Sequence, residues 1–265
     1  MGRLKIFIAI LLLPVVVFAS IGKISALNGD VSITRDSKVV KAVAGTTLEQ
    51  KDIVKSSKGS TAQIVFNDNT VITVGSATTF KVEEYLFDEK TPNAKFKVEE
   101  GSFKTITGKI GKIAPDKFKL ETKTATIGIR GTVFVGKIDG EGNLKIACTK
   151  GAIVVTPNLP NIPNTPPPPP TLVPEGQMTN ADKKGVEPPR TYTPGDLKDL
   201  GGDLGGYAKR GGSNNQGNGN QDNKDKPTFV ANDVKEKVGD STNQIINTIV
   251  NNQTSGGSAW AAAYG

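Results

Sequence analysis

Apolar and polar residues alternate through most of the region between residues 21 and 156. Phe80 and Val82 flank Lys81, for example, and the same alternation runs through residues 144–148. A period of two is typical of half-buried β-strands, and no stretch of this region repeats apolar residues at helical spacing. Asn, Asp and Gly, which favour tight turns, separate the alternating runs. The pattern predicts an all-β domain.

A weak internal repeat refines this expectation. The pattern Phe-Lys-aliphatic-Glu begins at Phe80, Phe96 and Phe118, so its offsets are 16 and 22 residues. Unequal offsets exclude a strictly regular repeat and favour an irregular, twisted β-solenoid or β-helix-like coil of short strands. A β-sandwich remains an alternative, because periodicity alone does not separate the two architectures.

The N-terminus has the layout of a secretory signal peptide. Arg3 and Lys5 precede an apolar run that ends in small residues, which predicts a leader over residues 1–19 with cleavage after Ala19. An uncleaved anchor is the alternative, but the run is shorter than the roughly 20 residues needed to span a bilayer, and it contains Pro14. We therefore expect an exported protein.

The composition changes after the predicted domain of residues 20–156. Residues 157–194 contain 12 of the 16 prolines, which predicts an extended linker, although a strand returning to the domain at residues 171–178 remains open. Residues 195–228 are rich in Gly and Asn and are expected to be disordered. Residues 229–253 carry apolar residues at helical spacing, so they predict one or two short amphipathic helices before a flexible end at 254–265. Such helices either dock on the domain, a partner or a membrane, or fray.

The residue inventory excludes several kinds of chemistry. The 265 residues include no His and one Cys, so His-dependent triads, zinc clusters and an intrachain disulfide are excluded. The net charge of +7 falls to +5 without Arg3 and Lys5, and the charges are mixed along the strands, so we expect no nucleic-acid partner. No pair of carboxylates has a spacing that suggests glycoside hydrolysis. We predict a non-enzymatic protein without cofactor, metal or small-molecule substrate.

Several motifs follow one another along the predicted domain. They include Asp52-Ile53-Val54, an Asn-Asp-Asn turn after Phe66, and an Arg-Gly-Thr-Val-Phe segment within residues 126–135. In this order the motifs resemble the FecR domain of bacterial envelope proteins. Asn69 replaces the usual Gly of the turn, and Val133 stands where the family often has an acidic residue. The motif residues, which we expect to be structural, are Asp52, Asp68, Gly101, Arg130, Gly131, Thr132 and Phe134.

Three residues carry specific expectations. Arg130 lies in the most specific motif, and we expect its guanidinium to bind backbone carbonyls where coils of the domain meet; a functional contact is the alternative. Asp68 is expected to form a turn. Cys148 falls on the apolar side of its predicted strand and should be unreactive.

The resemblance implies a periplasmic β fold and a role in signal relay, since the namesake of the family controls a sigma factor across the inner membrane. Only about five residues precede the apolar run of the leader, too few to hold a sigma factor. We therefore expect an exported, non-enzymatic module that binds a protein or cell-wall partner. The alternative is a component of an envelope signal-transduction system that works with a separate membrane partner. Membrane contact is expected only through the leader or the C-terminal helices.

Overall fold

The computed structural model describes residues 20–88, 90–159, 168–201 and 204. These residues are mainly β-strands, so the predicted all-β class is confirmed. The predicted leader and C-terminal helices lie outside the described residues. The strands are β1 (Gly22–Asn28), β2 (Val31–Arg35), β3 (Lys38–Lys41), β4 (Thr47–Leu48), β5 (Ile53–Ser56), β6 (Thr61–Phe66), β7 (Val71–Val74), β8 (Thr79–Leu86), β9 (Asn93–Ile106), β10 (Phe118–Glu121), β11 (Ala125–Ile138), β12 (Leu144–Pro157), β13 (Thr171–Pro174), β14 (Gln177–Asp182), β15 (Gly185–Val186) and β16 (Arg190–Thr191).

The strands form two layers that share three long strands. The first layer runs in the order β4, β1, β6, β7, β9, β11, β12, β14, β15, with β16 also paired to β14. The second layer runs β3, β2, β5, β8, β9, β10, β11, β12, β13. All neighbours are antiparallel except β9 and β10, which are parallel. Strands β9, β11 and β12 belong to both layers because each contributes its two halves to different ones.

Glycine corners carry these three strands from one layer to the other. Gly101, Gly131 and Gly151 adopt φ values of 95°, 63° and 78°, a region that glycine enters without steric cost. At each corner the side-chain alternation shifts by one position. In β9, for instance, Phe96 faces the core before the corner and Phe103 faces it afterwards, so the parity of the buried positions changes from even to odd.

Phenylalanines fill the core between the layers. The rings of Phe66 in the first layer and Phe96 in the second are 4.8 Å apart, and Phe80 lies 5.6 Å from Phe96. Six phenylalanines are at most 1% exposed: Phe66, Phe80, Phe96, Phe103, Phe118 and Phe134. Aromatic contacts of this kind therefore join the two layers into one core.

The β structure continues past residue 156, where the sequence analysis placed the end of the domain. Strands β13 and β14 pair with the two halves of β12, and the side chain of Val173 is fully buried. Helix α2 (Pro194–Asp199) follows on the outer face of the first layer. The segment predicted as a linker, residues 157–194, therefore contains strands on both sides of Gly176. No helix within the described ranges has the length and apolar character needed to cross a membrane.

Candidate protein-binding surface

Asp52 forms a buried ion pair with Arg35. Its carboxylate is fully buried and accepts two hydrogen bonds from Arg35, Nε to Oδ1 at 2.8 Å and Nη2 to Oδ2 at 2.7 Å. The backbone N–H of Glu49 donates to the same carboxylate at 2.8 Å. The hydrogen bond to Asp52 raises the pKa of the Arg35 guanidinium. This bidentate pair fixes the end of β2 to the loop before β5, so Asp52 has a structural role.

Asp68 holds together a second buried network. Its carboxylate accepts hydrogen bonds from the backbone N–H and hydroxyl of Thr70 and from the hydroxyl of Tyr85, at 2.8–3.0 Å. It also accepts the N–H of Ile110 at 3.1 Å, the first residue of the short helix α1 (Ile110–Ile113). Burial, together with the Asp68 charge, raises the pKa of Tyr85. Asn69 adopts φ 65°, as expected of a turn.

Gly101 makes a corner that no larger residue fits. An added Cβ would lie 2.2 Å from Oγ1 and 2.5 Å from Cα of Thr78. The Thr78 hydroxyl accepts a hydrogen bond from the N–H of Ser102 at 3.1 Å and donates to the Ser102 carbonyl at 3.0 Å. Thr78 thus replaces the ladder hydrogen bonds that are interrupted where β9 changes layers.

The Arg-Gly-Thr-Val-Phe segment forms the corner of β11, and the expectation for its arginine is corrected. The Arg130 side chain is exposed and forms no hydrogen bond or ion pair with any described residue, so it does not bind backbone carbonyls. Gly131 turns the chain, and the backbone N–H of Thr132 donates to the hydroxyl of Thr107 at 3.0 Å. Phe134 lies in the core. Gly131, Thr132 and Phe134 therefore have structural roles, whereas the side chain of Arg130 has none among the described residues.

Two further residues lie at the hairpin between β11 and β12 and within β12. Asp139 closes the hairpin between these strands by accepting hydrogen bonds from the backbone N–H groups of Glu141 and Asn143, at 3.0 and 2.9 Å. Cys148 is fully buried, and burial raises the pKa of its thiol to about 11. A thiol that stays protonated at neutral pH is a poor nucleophile, so the expectation of an unreactive cysteine agrees with its environment.

A charged cleft of about 420 Å³ lies beside this hairpin. Asp199 occupies its middle, 3.0 Å from the Lys137 ammonium and 3.6 Å from that of Lys145. The hydrogen bond from Lys137 lowers the pKa of Asp199. Opposite them, the amide of Asn180 donates to Glu187 at 2.6 Å. Four carboxylates and two lysines line the cleft, so negative charge is in excess there. Within the described ranges, no group of His, Cys, Asp or Glu is placed to hold a metal ion.

The two most exposed large apolar residues of the described chain, Val39 and Val43, lie on or next to the edge strand β3, and Val40 lies between them. Val39 and Val40 are 69% and 56% exposed, and Val43, just after the strand, is 61% exposed. Among the described residues β3 pairs only with β2, so its other edge is open. A groove of about 210 Å³ runs beside Val39 and Lys41. We call Lys38–Val43 the β3 edge.

Lysines give the β3 edge a positive sign. Lys38 and Lys41 bracket the two valines, and within the described part of the chain Lys41 makes only an exposed ion pair, with Asp30 at 3.0 Å. Exposed pairs of this kind are worth little and exchange readily with other partners. The sequence analysis missed this surface. The signal for it is a pair of consecutive valines between lysines, a composition that proteins use at strand edges.

Comparisons with known proteins give one family match and two similar solved structures. The FecR protein family matches residues 52–154. Two crystal structures of a candidate anti-sigma factor from Parabacteroides distasonis ATCC 8503, at 2.50 and 1.65 Å resolution, are similar to the chain with a TM-score of 0.39 and 14% identity. Each match covers 52% of this chain and 59% of the other. No curated protein matches the sequence. Residues 52–154 are thus a FecR domain, as the motifs around Asp52, Asp68 and Arg130 predict.

Proposed function

We propose that this protein is an exported, non-enzymatic binding module of the bacterial envelope, and that its β domain binds a partner protein through the β3 edge, which precedes the FecR match in the chain. The open edge with three exposed valines carries the proposal, because an unpaired strand with apolar side chains is a ready template for another chain. Asp52 and Asp68 support the non-enzymatic part. Both carboxylates are buried and already accept several hydrogen bonds from the protein.

The chemistry of the β3 edge defines the partner. Strand addition supplies backbone hydrogen bonds from the partner to β3, and side chains then set the specificity. An extended segment that presents apolar residues to Val39 and Val40 and carboxylates to Lys38 and Lys41 fits this edge. A second copy of the same strand fits poorly, because it would bring four lysines together.

A substitution at the edge tests the proposal. The double variant Val39→Asp/Val40→Asp should recover at least about tenfold less of a specific envelope protein than the parent chain, because it places two buried carboxylates in the added-strand interface. The matched control is Leu172→Asp, which alters an equally exposed apolar residue on the edge strand β13. Both variants should keep the thermal midpoint of the parent. Equal recovery by all three proteins would refute the assignment of the edge.

We also propose that the protein is exported and that its domain is an irregular β-solenoid. The leader-like residues 1–19 support export, and N-terminal sequencing of the mature protein from a periplasmic fraction should begin at Ser20. For the fold, the repeated passage of the chain between two layers at glycine corners supports an irregular β-solenoid. A crystal structure with the strands of each layer closed into a barrel would contradict it.

The FecR domain favours envelope signalling as the second candidate function. In that case the β3 edge contacts a signalling protein and the module transmits an envelope stimulus through a separate membrane partner. Deleting the gene should change transcription of a defined set of envelope genes, and the Val39→Asp/Val40→Asp variant should fail to restore it. If this variant restores the transcription, signalling does not depend on the β3 edge.

A further inference from the structure

An aliphatic stripe crosses the outward face of the first layer. Val65, Val71, Ile106 and Val133 are consecutive partners across β6, β7, β9 and β11. All four are half-buried, while the residues next to them in the strands point into the core. Four aligned aliphatic side chains on the outward face of a sheet are unusual, because the exposed side of an antiparallel sheet is normally polar. We call these four residues the aliphatic stripe.

The described C-terminal segment already covers the neighbouring part of the same face. Leu200 and Leu204 are buried and pack with Val135, Ala147 and Met178, the outward residues of β11, β12 and β14. Val135 lies two residues after Val133 and therefore on the same side of β11. The stripe is continuous with a surface that the chain itself covers.

The chain also leaves the described region on this face. Leu204 packs over Gly75, where an added Cβ would lie 2.8 Å from its Cδ2 atom. Gly75 directly follows β7 and lies on the same side of it as Val71, about 13 Å away at roughly 3.3 Å per residue. Leu204, the last described residue, therefore lies on the same face of the first layer as the stripe.

Lys104 restricts what can cover the stripe. It lies between Thr73 and Val135 in the sheet, next to the stripe, and forms no hydrogen bond or ion pair with the described residues. Burial lowers the pKa of its ammonium. A further positive charge would be unfavourable here, whereas a neutral apolar segment adds none. Residues 241–252 contain no charged residue and include Ile245, Ile246, Ile249 and Val250.

We propose that residues 241–252 of this chain dock on the aliphatic stripe. The four aliphatic residues of the segment would then bury the stripe and complete the cover that Leu200 and Leu204 begin. The 36 residues between Leu204 and the segment span up to roughly 120 Å when extended, so reach does not limit the contact. This docking is independent of the β3 edge, which belongs to the other layer.

Intramolecular crosslinking of the full mature chain tests the docking. Val71→Cys and Ile249→Cys should be joined by a short bismaleimide at least about tenfold faster than Val39→Cys and Ile249→Cys, because docking raises the effective concentration of one pair only. Cys148 is buried and stays in place in both variants. Equal rates for the two pairs would overturn the proposal, and crosslinks formed between two chains would assign the stripe to a second copy.

Thiol labelling gives a second readout that needs no crosslink. In the chain carrying only Val71→Cys, adding Ile245→Asp/Ile249→Asp should speed labelling of the new thiol several-fold, since the docked segment no longer covers it. The same pair of aspartates should leave labelling of Val39→Cys unchanged. If the domain stays folded and the labelling rate of the thiol at position 71 does not change, the docking proposal is overturned.

Discussion

Single buried carboxylates fix the loops of this domain. Asp68 accepts four hydrogen bonds, from Thr70, Tyr85 and Ile110. Replacing it by Asn should lower the free energy of unfolding by about 2–4 kcal/mol, because the amide nitrogen cannot accept the bonds that one carboxylate oxygen now accepts. Urea denaturation at pH 7 measures the change.

The control for this prediction is an exposed carboxylate of the same type. Asp116→Asn, in the 3-10 turn Pro115–Lys117, should change the free energy of unfolding by no more than about 0.5 kcal/mol. Equal effects of Asp68→Asn and Asp116→Asn would mean that the network around Asp68 contributes nothing beyond an ordinary turn.

Ionisation of the Cys148 thiol should make the free energy of unfolding depend on pH in the alkaline range. Its pKa is about 11 in the folded protein and near 9 in the unfolded chain, so between these values the unfolded state loses the proton while the folded state keeps it. Deprotonation therefore favours unfolding, and stability should fall as the pH rises from 9 to 11, by about 2 kcal/mol from this group. Cys148→Ala should show a shallower decline in urea denaturation at pH 8 and pH 10.5. The same slope in both proteins would contradict the assignment.

Residue roles were predictable where they depend on local sequence. The turn at Asp68 and the buried side of Cys148 follow from neighbouring residues. The pair of Arg35 with Asp52 does not, because it joins residues 17 positions apart and requires the register of β2 against β5. Arg130 was misassigned for a related reason: its exposure is set by the corner at Gly131, which turns the arginine out of both layers.

At the scale of elements, the glycine corners should be sensitive to substitution for two separable reasons. Gly101→Ala imposes a left-handed conformation on alanine and also drives its Cβ into the backbone of Thr78. We expect a loss of about 3 kcal/mol or more in the free energy of unfolding, measured by urea denaturation.

Gly176→Ala isolates the first reason. Gly176 has φ 84°, but an added Cβ has no atom within 4 Å, so its cost should be only the strain of about 1 kcal/mol. If Gly101→Ala costs no more than Gly176→Ala, the close approach of Thr78 does not constrain the corner.

The glycine corners also explain which strands could be predicted from the alternation of apolar and polar residues. Alternation identifies β6 and β10 directly, because each lies in one layer. In β9, β11 and β12 the buried positions change parity at the glycine, so a reading with a fixed period of two divides each into unrelated halves. The pairing of β13 with β12 was left open by the sequence because it closes across residues 158–170, a connection without any periodic signal.

At the scale of the whole molecule, the strands after residue 156 pack into the same core as the strands before it. Val173 and Ala181 are part of the main core cluster, and the hydroxyl of Thr124 donates to the carbonyl of Ala181 at 3.3 Å. A chain of residues 20–156 should therefore be less stable than one of residues 20–204, by about 3–5 kcal/mol in urea denaturation. Identical denaturation midpoints would show that β13 and β14 do not contribute to the stability of the domain.

The two layers end in open strand edges, β3 at one end and β13 at the other end of the second layer. A closed barrel has a fixed circumference, but an open sheet accepts another strand at its edge without rebuilding its interior. Residues 52–154 fill the middle, so strands at either end can be added or exchanged while the phenylalanine core stays intact. The addition of strands at an open edge can thus give this fold a new edge without disturbing its core.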